Sequence, residues 1–452
     1  MNGEKRRYSA CEACRRRKVK CNGGQPCKPC DNLQLPCVYS TWSVGRSRRG
    51  IRRGKVIHEY ANSSPMAGAA QTRFSEDLLY SLIPYFRSGR YPVCPVLTEE
   101  ETRTAVADAV NGGKDGALGY AVAAVSLEYM NSQTGPGSGP DKETIESLVR
   151  LSIASKGPIV PDFEMSLKAV VTSSFISDAL VTVGKLGASW MHLNESIGML
   201  NLLRIGEAET LDTLDPCERA RQLRLYWMLF VHERFLVLHM RRTRVLLRPL
   251  REYPQQVEDI PPEVHRGFLH IIKLFEHVDQ KFVNAVVGAD EVDDVDPEWI
   301  EAKANALETF SSDLPPGLSE AHQADQIISA QWMVIVLWQV AMSRFWLSST
   351  TATSGIMALT YPIAVTRKLQ RLITDIDTEA IQAQGYGINQ KLYELTIAIA
   401  EVIPLIPPDR LKLEVDKVDS FVWIARYLLT QSTVLDNQKL ILEEKLERII
   451  AL

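Results

Sequence analysis

The sequence predicts a mainly α-helical protein in which a small cysteine-rich module at the N-terminus precedes a large all-helical domain. Three observations carry that reading. Six of the eight cysteines fall within 27 residues. From Arg73 onward the apolar residues recur at helical spacing and no strand-like alternation is sustained. The 452 residues are 45% hydrophobic and 23% charged, enough to bury a large core and unlike a disordered tail or a fibre.

The cysteines come first along the chain, as Cys11-x2-Cys14-x6-Cys21 and then Cys27-x2-Cys30-x6-Cys37. The two halves share one internal spacing. Each x2 pair places two thiolates on one tight turn, which suits tetrahedral zinc, and soft thiolates select zinc over calcium or magnesium. Three cysteines per half cannot supply four ligands each, so the economical solution is two zinc ions with two shared thiolates. Pseudo-symmetry favours Cys11 and Cys27 as the shared pair. A three-disulfide staple or an iron–sulfur cluster fits less well ahead of some 400 residues of ordinary core. Met1 to Ala10 is charged without an apolar stretch, and the longest apolar run, Trp332 to Trp338, is about a third of a membrane span. Neither a secretory nor a transmembrane segment is expected, and no membrane partner.

Charge is distributed unevenly. Residues 1 to 60 hold 15 Lys and Arg against Glu4, Glu12, Asp31 and Glu59, whereas the remaining residues carry 36 against 51. A basic head on an acidic body points to a polyanion-binding module joined to a domain with another task. Arg15 and Lys18 lie three apart and Arg16 and Lys20 four apart, so on a short helix the cations cover most of the surface. With two zinc ions and six thiolates included, the head nets about plus nine, enough for several phosphate contacts and a steep salt dependence.

Residues 11 to 37 closely resemble the binuclear zinc cluster of the fungal Zn2Cys6 transcription factors, in the cysteine spacing, in Cys14-Arg15-Arg16-Arg17-Lys18-Val19-Lys20-Cys21, and in Pro26 before the fourth cysteine. The resemblance implies a short helix plus an extended segment per half, the first helix entering the major groove. It implies that Cys11, Cys14, Cys21 and Cys27 bind one zinc and Cys11, Cys27, Cys30 and Cys37 the other. It also places Lys18 where that family reads a CGG triplet, a cation donating to guanine O6 and N7, with Arg15, Arg16, Arg17 and Lys20 around it. The same basic run reads as a nuclear import signal, and the two roles are compatible.

After Cys37 the stretch Thr41 to Lys55 interleaves Arg46, Arg48, Arg49, Arg52, Arg53 and Lys55 with glycine, and we expect a flexible basic arm along DNA, within a linker spanning residues 38–72. Many members of the family continue into a heptad coiled coil, but Val56 to Ala70 holds no a/d pattern, which leaves dimerisation open.

The body, residues 73–452, reads as helices over Phe74–Phe86, Ala117–Met130, Glu143–Ala154 and Glu164–Val183, with the glycine-rich Gly135 to Gly139 as a loop tip. Asp215, Pro216 and Glu218 predict an N-cap, a proline at the first position and a reciprocal glutamate, opening a helix to about His239. Leu223, Tyr226, Trp227 and Phe230 form one face and Leu225, Leu229 and Leu236 another, so its middle must be buried nearly all round. Glu233 and Arg234 are expected as paired charges at the core's margin. Arg224 to Arg234 resembles the middle homology region of the same fungal factors, an all-helical regulatory domain, although Thr243 stands where those factors usually carry proline. Gln331-Trp332, Leu337-Trp338-Gln339 and Gln390-Lys391-Leu392-Tyr393-Glu394 resemble the branch that holds starch- and maltose-utilisation activators.

No catalytic constellation is present in the sequence. The eight histidines are scattered; His270 and His277 share a helical face without a third ligand; Gly112-Gly113-Lys114-Asp115 lacks the spacing of a phosphate loop. Cys94 and Cys217 are expected as inert core thiols, and the tryptophans at 190, 227, 332, 338 and 346 as core before cofactor pocket. Asp290 to Glu301 is expected to be a solvated acidic loop rather than an activation segment, and Leu442, Leu446 and Ile449 a stripe that docks a C-terminal helix. The function expected is that of a nuclear, sequence-specific regulator of transcription, not an enzyme, holding two zinc ions. Its partners would be double-stranded DNA and coactivators, with a second copy of the chain and a small-molecule effector also open. The moderate length favours a pathway-specific regulator of a secondary-metabolite gene cluster. The alternatives are an activator of sugar or starch catabolism and a cofactor whose cluster is structural.

Overall fold

The computed structural model describes residues 11, 14, 21–31, 37, 74–134, 142–158, 165–242, 246–288, 295–345, 355–382, 384–405 and 415–451. The chain divides into two compact units, residues 1–72 and residues 73–452. In the first, α1 (Lys28–Asp31) is nucleated where Cys30 N and Asp31 N both donate to Cys27 O at 2.8 and 2.9 Å.

The body is helical throughout its described residues. Its N-terminal half comprises α2 (Glu76–Ser81), α3 (Glu99–Asn111), α4 (Gly116–Thr134), α5 (Lys142–Lys156), α6 (Leu167–Thr182) and α7 (Leu186–Leu202). A long helix, α8 (Pro216–Met240), follows. The C-terminal half holds α9 (Pro262–Glu276), α10 (Gln280–Val287), α11 (Pro297–Ser312), α12 (Glu320–Arg344), α13 (Tyr361–Ile373), α14 (Gly385–Val402), α15 (Val415–Thr430) and α16 (Asp436–Ile450). Local chemistry sets the starts. Thr98 and Glu101 form a reciprocal capping box on α3, while Ser75, Ser166, Asp279, Asp296 and Ser319 each cap a helix through a side-chain oxygen. Helices α3 and α4 approach closely because Gly119 has no side chain: a Cβ there would lie 2.0 Å from Ala105 O.

Helix α8 packs on α7 and α6 from one half and on α9 and α10 from the other. Asp215 caps it as predicted, accepting from Cys217 N and Glu218 N at 3.0 and 3.1 Å. Glu218 does not complete the predicted reciprocal bond; it accepts from Gln222 Nε2 at 3.2 Å and lies near Arg221. The middle of the helix is buried all round, from Gln222 through Phe230, and full burial of a side chain such as Trp227 contributes about 1.5–3 kcal/mol. The helix ends at Arg241, whose left-handed backbone (φ 49°) lets its side chain reach Val286 O and Gln339 Oε1. Thr243 lies outside the described residues.

Glu233 and Arg234 correct the expectation of a marginal pair, being 0% and 2% exposed. Their 2.8 Å contact is part of a latch. Glu233 accepts from Leu246 N at 2.6 Å and Leu247 N at 3.0 Å, and Arg234 donates to Leu247 O at 2.6 Å while lying 3.4 Å over the Phe230 ring. The segment after α8 is thereby tied back onto it. A second network centres on Glu394, which accepts from Trp332 Nε1 at 2.7 Å and Gln390 Nε2 at 2.9 Å and meets His239 Nδ1 at 2.6 Å. Those residues join α8, α12 and α14, which explains why an otherwise apolar α12 meets glutamine and glutamate on its neighbour.

Helix α12 is long and apolar enough to cross a membrane by length and composition, but 83% of its apolar window is buried inside the body. Trp227, Trp332 and Trp338 are fully buried, as a core role predicts, and Trp346 lies outside the described residues. His270 and His277 pack against Phe310. Leu442 and Ile449 dock α16 with Leu446 beside them, in agreement with the predicted stripe. Of the acidic segment, residues 290–294 are not described, while Val295 and Ile300 are buried and Asp296 caps α11, so its apolar groups serve the fold.

Candidate metal centre and nucleic-acid interface

Cys11, Cys14, Cys27 and Cys30 are completely buried, and their sulfur atoms all lie within 4.8 Å of one another. Cys11 Sγ is 3.6 Å from both Cys27 Sγ and Cys30 Sγ, and Cys14 Sγ is 3.5 Å from Cys27 Sγ. Sulfurs at 2.3 Å from one tetrahedral zinc stand about 3.8 Å apart, so these spacings fit shared metal coordination. Cys21 and Cys37 pack against the four, and Cys37 Sγ accepts from Cys27 N at 3.2 Å. The loop between the halves is fixed by Lys28 N donating to Asn22 Oδ1 at 2.8 Å.

The donor set is all sulfur. Burial raises the Cys27 and Cys30 thiols and pushes Cys14 up to about 12, while Cys11 is lowered, first of all by the Cys14 N–H. Such crowded thiols become ligands only when a cation offsets their mutual repulsion, which a pair of dipositive ions does. All six cysteines together match a binuclear zinc centre, and the module binds two zinc ions. The predicted DNA-contacting residues Arg15, Arg16, Arg17, Lys18 and Lys20, and the arm residues Arg46, Arg48, Arg49, Arg52, Arg53 and Lys55, lie outside the described residues, as does the stretch from Val56 to Ala70.

In the body, Cys94 is buried as predicted, its thiol pushed up to about 12 by desolvation. Cys217 corrects the expectation: it sits exposed in the first turn of α8, on the side that faces away from the core. Reading the sequence also missed a set of charges inside the body. Arg90 pairs with Asp178, Lys391 donates to Asp325 Oδ1 at 3.1 Å and to Ser329 Oγ at 2.6 Å, and Glu128 accepts from Tyr386 N at 2.9 Å. The available signal was an isolated charge within an apolar helix, as Glu128 in α4 and Asp178 in α6.

Residues 9–44 match the fungal Zn(2)-Cys(6) binuclear cluster domain. The probable sucrose utilization protein SUC1 of Candida albicans is 22% identical over 401 residues, covering 87% of this chain and 79% of that protein. The maltose fermentation regulatory protein MAL13 of Saccharomyces cerevisiae is 22% identical over 411 residues, 87% of this chain and 84% of its own length. The fumonisin cluster-specific transcription factor FUM21 of Gibberella moniliformis is 40% identical, but over 65 residues, 14% of this chain and 10% of that protein.

Proposed function

For a chain that belongs with the fungal Zn2Cys6 transcription factors, we propose a nuclear, sequence-specific DNA-binding regulator that reads CGG-type half-sites through its zinc module and receives its signal in the helical body. The observation that carries this reading is the buried cluster of Cys11, Cys14, Cys27 and Cys30 adjoining the basic run Arg15 to Lys20. In the proposed ligand sets, Cys11 and Cys27 bridge two zinc ions, Cys14 and Cys21 completing one and Cys30 and Cys37 the other. The 3.6 Å between Cys11 and Cys27 sulfurs supports that pairing. Lys18 is the residue proposed to specify guanine, and the cations from Arg46 to Lys55 to follow the backbone. The residue boundaries proposed for these parts are 11–37, 38–72 and 73–452.

As to pathway, we infer a dedicated regulator of a secondary-metabolite gene cluster, supported by the likeness of the zinc module to a fumonisin cluster-specific factor. The length-wide likeness to regulators of sucrose and maltose use favours a second reading, a regulator of sugar catabolism, because it includes the body. Transcript profiling after deletion and overexpression separates the two. The DNA-binding core of the proposal is tested by anisotropy titration of the zinc-loaded chain on CGG and scrambled duplexes. Lys18→Ala should cost about 1–3 kcal/mol on CGG and leave scrambled DNA nearly unchanged. Equal losses on both would remove Lys18 as the specifying residue.

A further inference from the structure

A cavity of about 140 Å³ lies inside the body, walled by α4, α6, α8, α9, α12 and α14. At roughly 10–15 Å³ of such space per water, it has room for about ten waters, or a ligand of about a dozen non-hydrogen atoms. Arg90, Glu128, Asp178, Asp325 and Lys391, the last buried and the others part-buried, all border it. Arg90, Asp178 and Glu128 face it from the N-terminal half, and Lys391 and Asp325 from the C-terminal half, Glu128 reaching across from α4 to Tyr386 N at the start of α14. A helical body this size could have closed that space with leucine. Instead it desolvates five ionisable side chains in one place.

Holding helices together explains part of this, since each ion pair bridges two elements. It does not explain the leftover donor. Arg90 Nε is buried without a hydrogen-bond partner, while His232 Nδ1 lies 3.4 Å from Asp178 Oδ1 and Cys94 Sγ 3.7 Å from Nε2. A buried nitrogen of this kind is normally satisfied, so one on a residue that borders a cavity points to an acceptor atom that belongs to something else.

The chemistry of the walls narrows the class. Two cations are already matched by two carboxylates; burial raises the Glu128 carboxyl above its usual range and lowers His232, favouring its neutral form. An anionic ligand would find no unpaired cation, since Arg90 and Lys391 already face Asp178 and Asp325. Carboxylate oxygens, a guanidinium, an ammonium and the Gln384 amide offer hydrogen bonds in both directions. Phe235, Phe268 and Phe275 line it too, with the Lys391 ammonium 5.5 and 5.7 Å from the Phe235 and Phe275 rings. A molecule with hydroxyls on its edge and C–H groups on its face is complementary to both.

We propose that this cavity is the effector site of the body and takes a neutral, hydroxyl-rich small molecule of monosaccharide or cyclitol size. The proposal rests on the reading of the body as the regulatory domain of a DNA-binding protein. The site draws on both halves where they meet across α8, so occupancy tightens the contact between them and supplies what an inducer must, a state of the body that depends on a metabolite.

The test uses the full-length, zinc-loaded protein, titrated at millimolar concentration with D-glucose, D-fructose, myo-inositol and D-mannitol, and with gluconate and glucosamine as charged counterparts. Thermal unfolding and calorimetry should show a saturable shift with at least one neutral compound and a weaker one with its charged counterpart. Gly387→Leu is the blocking variant: Gly387 borders the cavity in α14, has no positive φ, and a Cβ there meets nothing within 4 Å. It should fold, bind CGG duplex as wild type does, and lose the shift at least tenfold, as should Lys391→Met. No response to any neutral compound, a stronger response to the charged ones, or a shift that survives Gly387→Leu overturns the proposal. CGG binding is measured on the same samples, so a wild-type protein that binds CGG but answers no neutral compound rejects the cavity alone, and a wild-type protein that answers a neutral compound without binding CGG rejects the DNA reading alone.

Discussion

Glu233→Ala is the substitution to which the body should be most sensitive. The carboxylate accepts two backbone amides, Leu246 N at 2.6 Å and Leu247 N at 3.0 Å, and one guanidinium bond at 2.8 Å, the last two away from water. Removing it leaves the Leu247 amide buried and unpaired, at about 1–3 kcal/mol, weakens the part-buried Leu246 amide less, and strands the Arg234 charge, which is 2% exposed. Breaking one side of a buried pair costs about 3–5 kcal/mol, and we expect about 4 kcal/mol here. Arg234→Met should cost less than that, because its loss frees one carbonyl and leaves Glu233 with both amides. The double variant Glu233→Ala with Arg234→Met should fall short of the sum by about 2 kcal/mol, since the second substitution removes a charge that the first has already stranded. Urea denaturation followed by far-ultraviolet circular dichroism measures all three. A cost under about 1 kcal/mol for Glu233→Ala, or additivity within about 0.5 kcal/mol, would refute the latch.

Native mass spectrometry of the full chain should record two zinc ions, both lost in Cys27→Ala and one retained in Cys37→Ala; a single ion in the wild type would rule out shared thiolates. A thiol reagent on the zinc-loaded protein should label Cys217 at once and Cys94 only on unfolding, because Cys217 is exposed while burial pushes Cys94 up to about 12. Burial alone would raise Glu195, but hydrogen bonds from His192, Lys156 and Ser173 hold it at about 2, against an ordinary 4.5. A depressed carboxyl stabilises the fold above the unfolded value and loses that contribution as pH falls from about 4.5 towards 2. Glu195→Gln should therefore cost about 1–2 kcal/mol at neutral pH, discounted for partial exposure, with the gap to wild type narrowing in urea titrations as pH falls from 5 through about 4.

The parts of the fold that were legible in the sequence are those where one residue type has one physical use. Paired cysteines at equal spacing leave few alternatives to a sulfur-bound metal, and Asp215 before Pro216 opens a helix whatever packs on it later. The burial of α8 followed from apolar residues on two faces, and the docking of α16 from Leu442, Leu446 and Ile449. Prediction failed where several local partners compete or the partner is far away along the chain. Glu218 could have closed a capping box, but it pairs instead with Gln222 and Arg221 within the helix. Glu233 was expected near water because carboxylates are, and the amides that bury it belong to residues 13 and 14 positions later. Cys217 departs from the core expectation because the Asp215 cap places it in the exposed first turn of α8.

The buried charges extend that lesson from folding to function. Glu128 meets Tyr386 N across 258 residues, and Lys391 meets Asp325 across 66, so no local pattern can announce either pair. Each charge taken singly reads as a flaw in an apolar helix, and a flaw is costly in a core that otherwise follows the helical period so closely. Their convergence changes the inference. Charges needed only to fix helix packing would be expected at separate interfaces with every donor used, whereas these border one cavity and leave Arg90 Nε unpartnered. The sequence signal for such a site is therefore an excess of single charges in buried helices, and their meaning depends on whether the fold brings them to the same place.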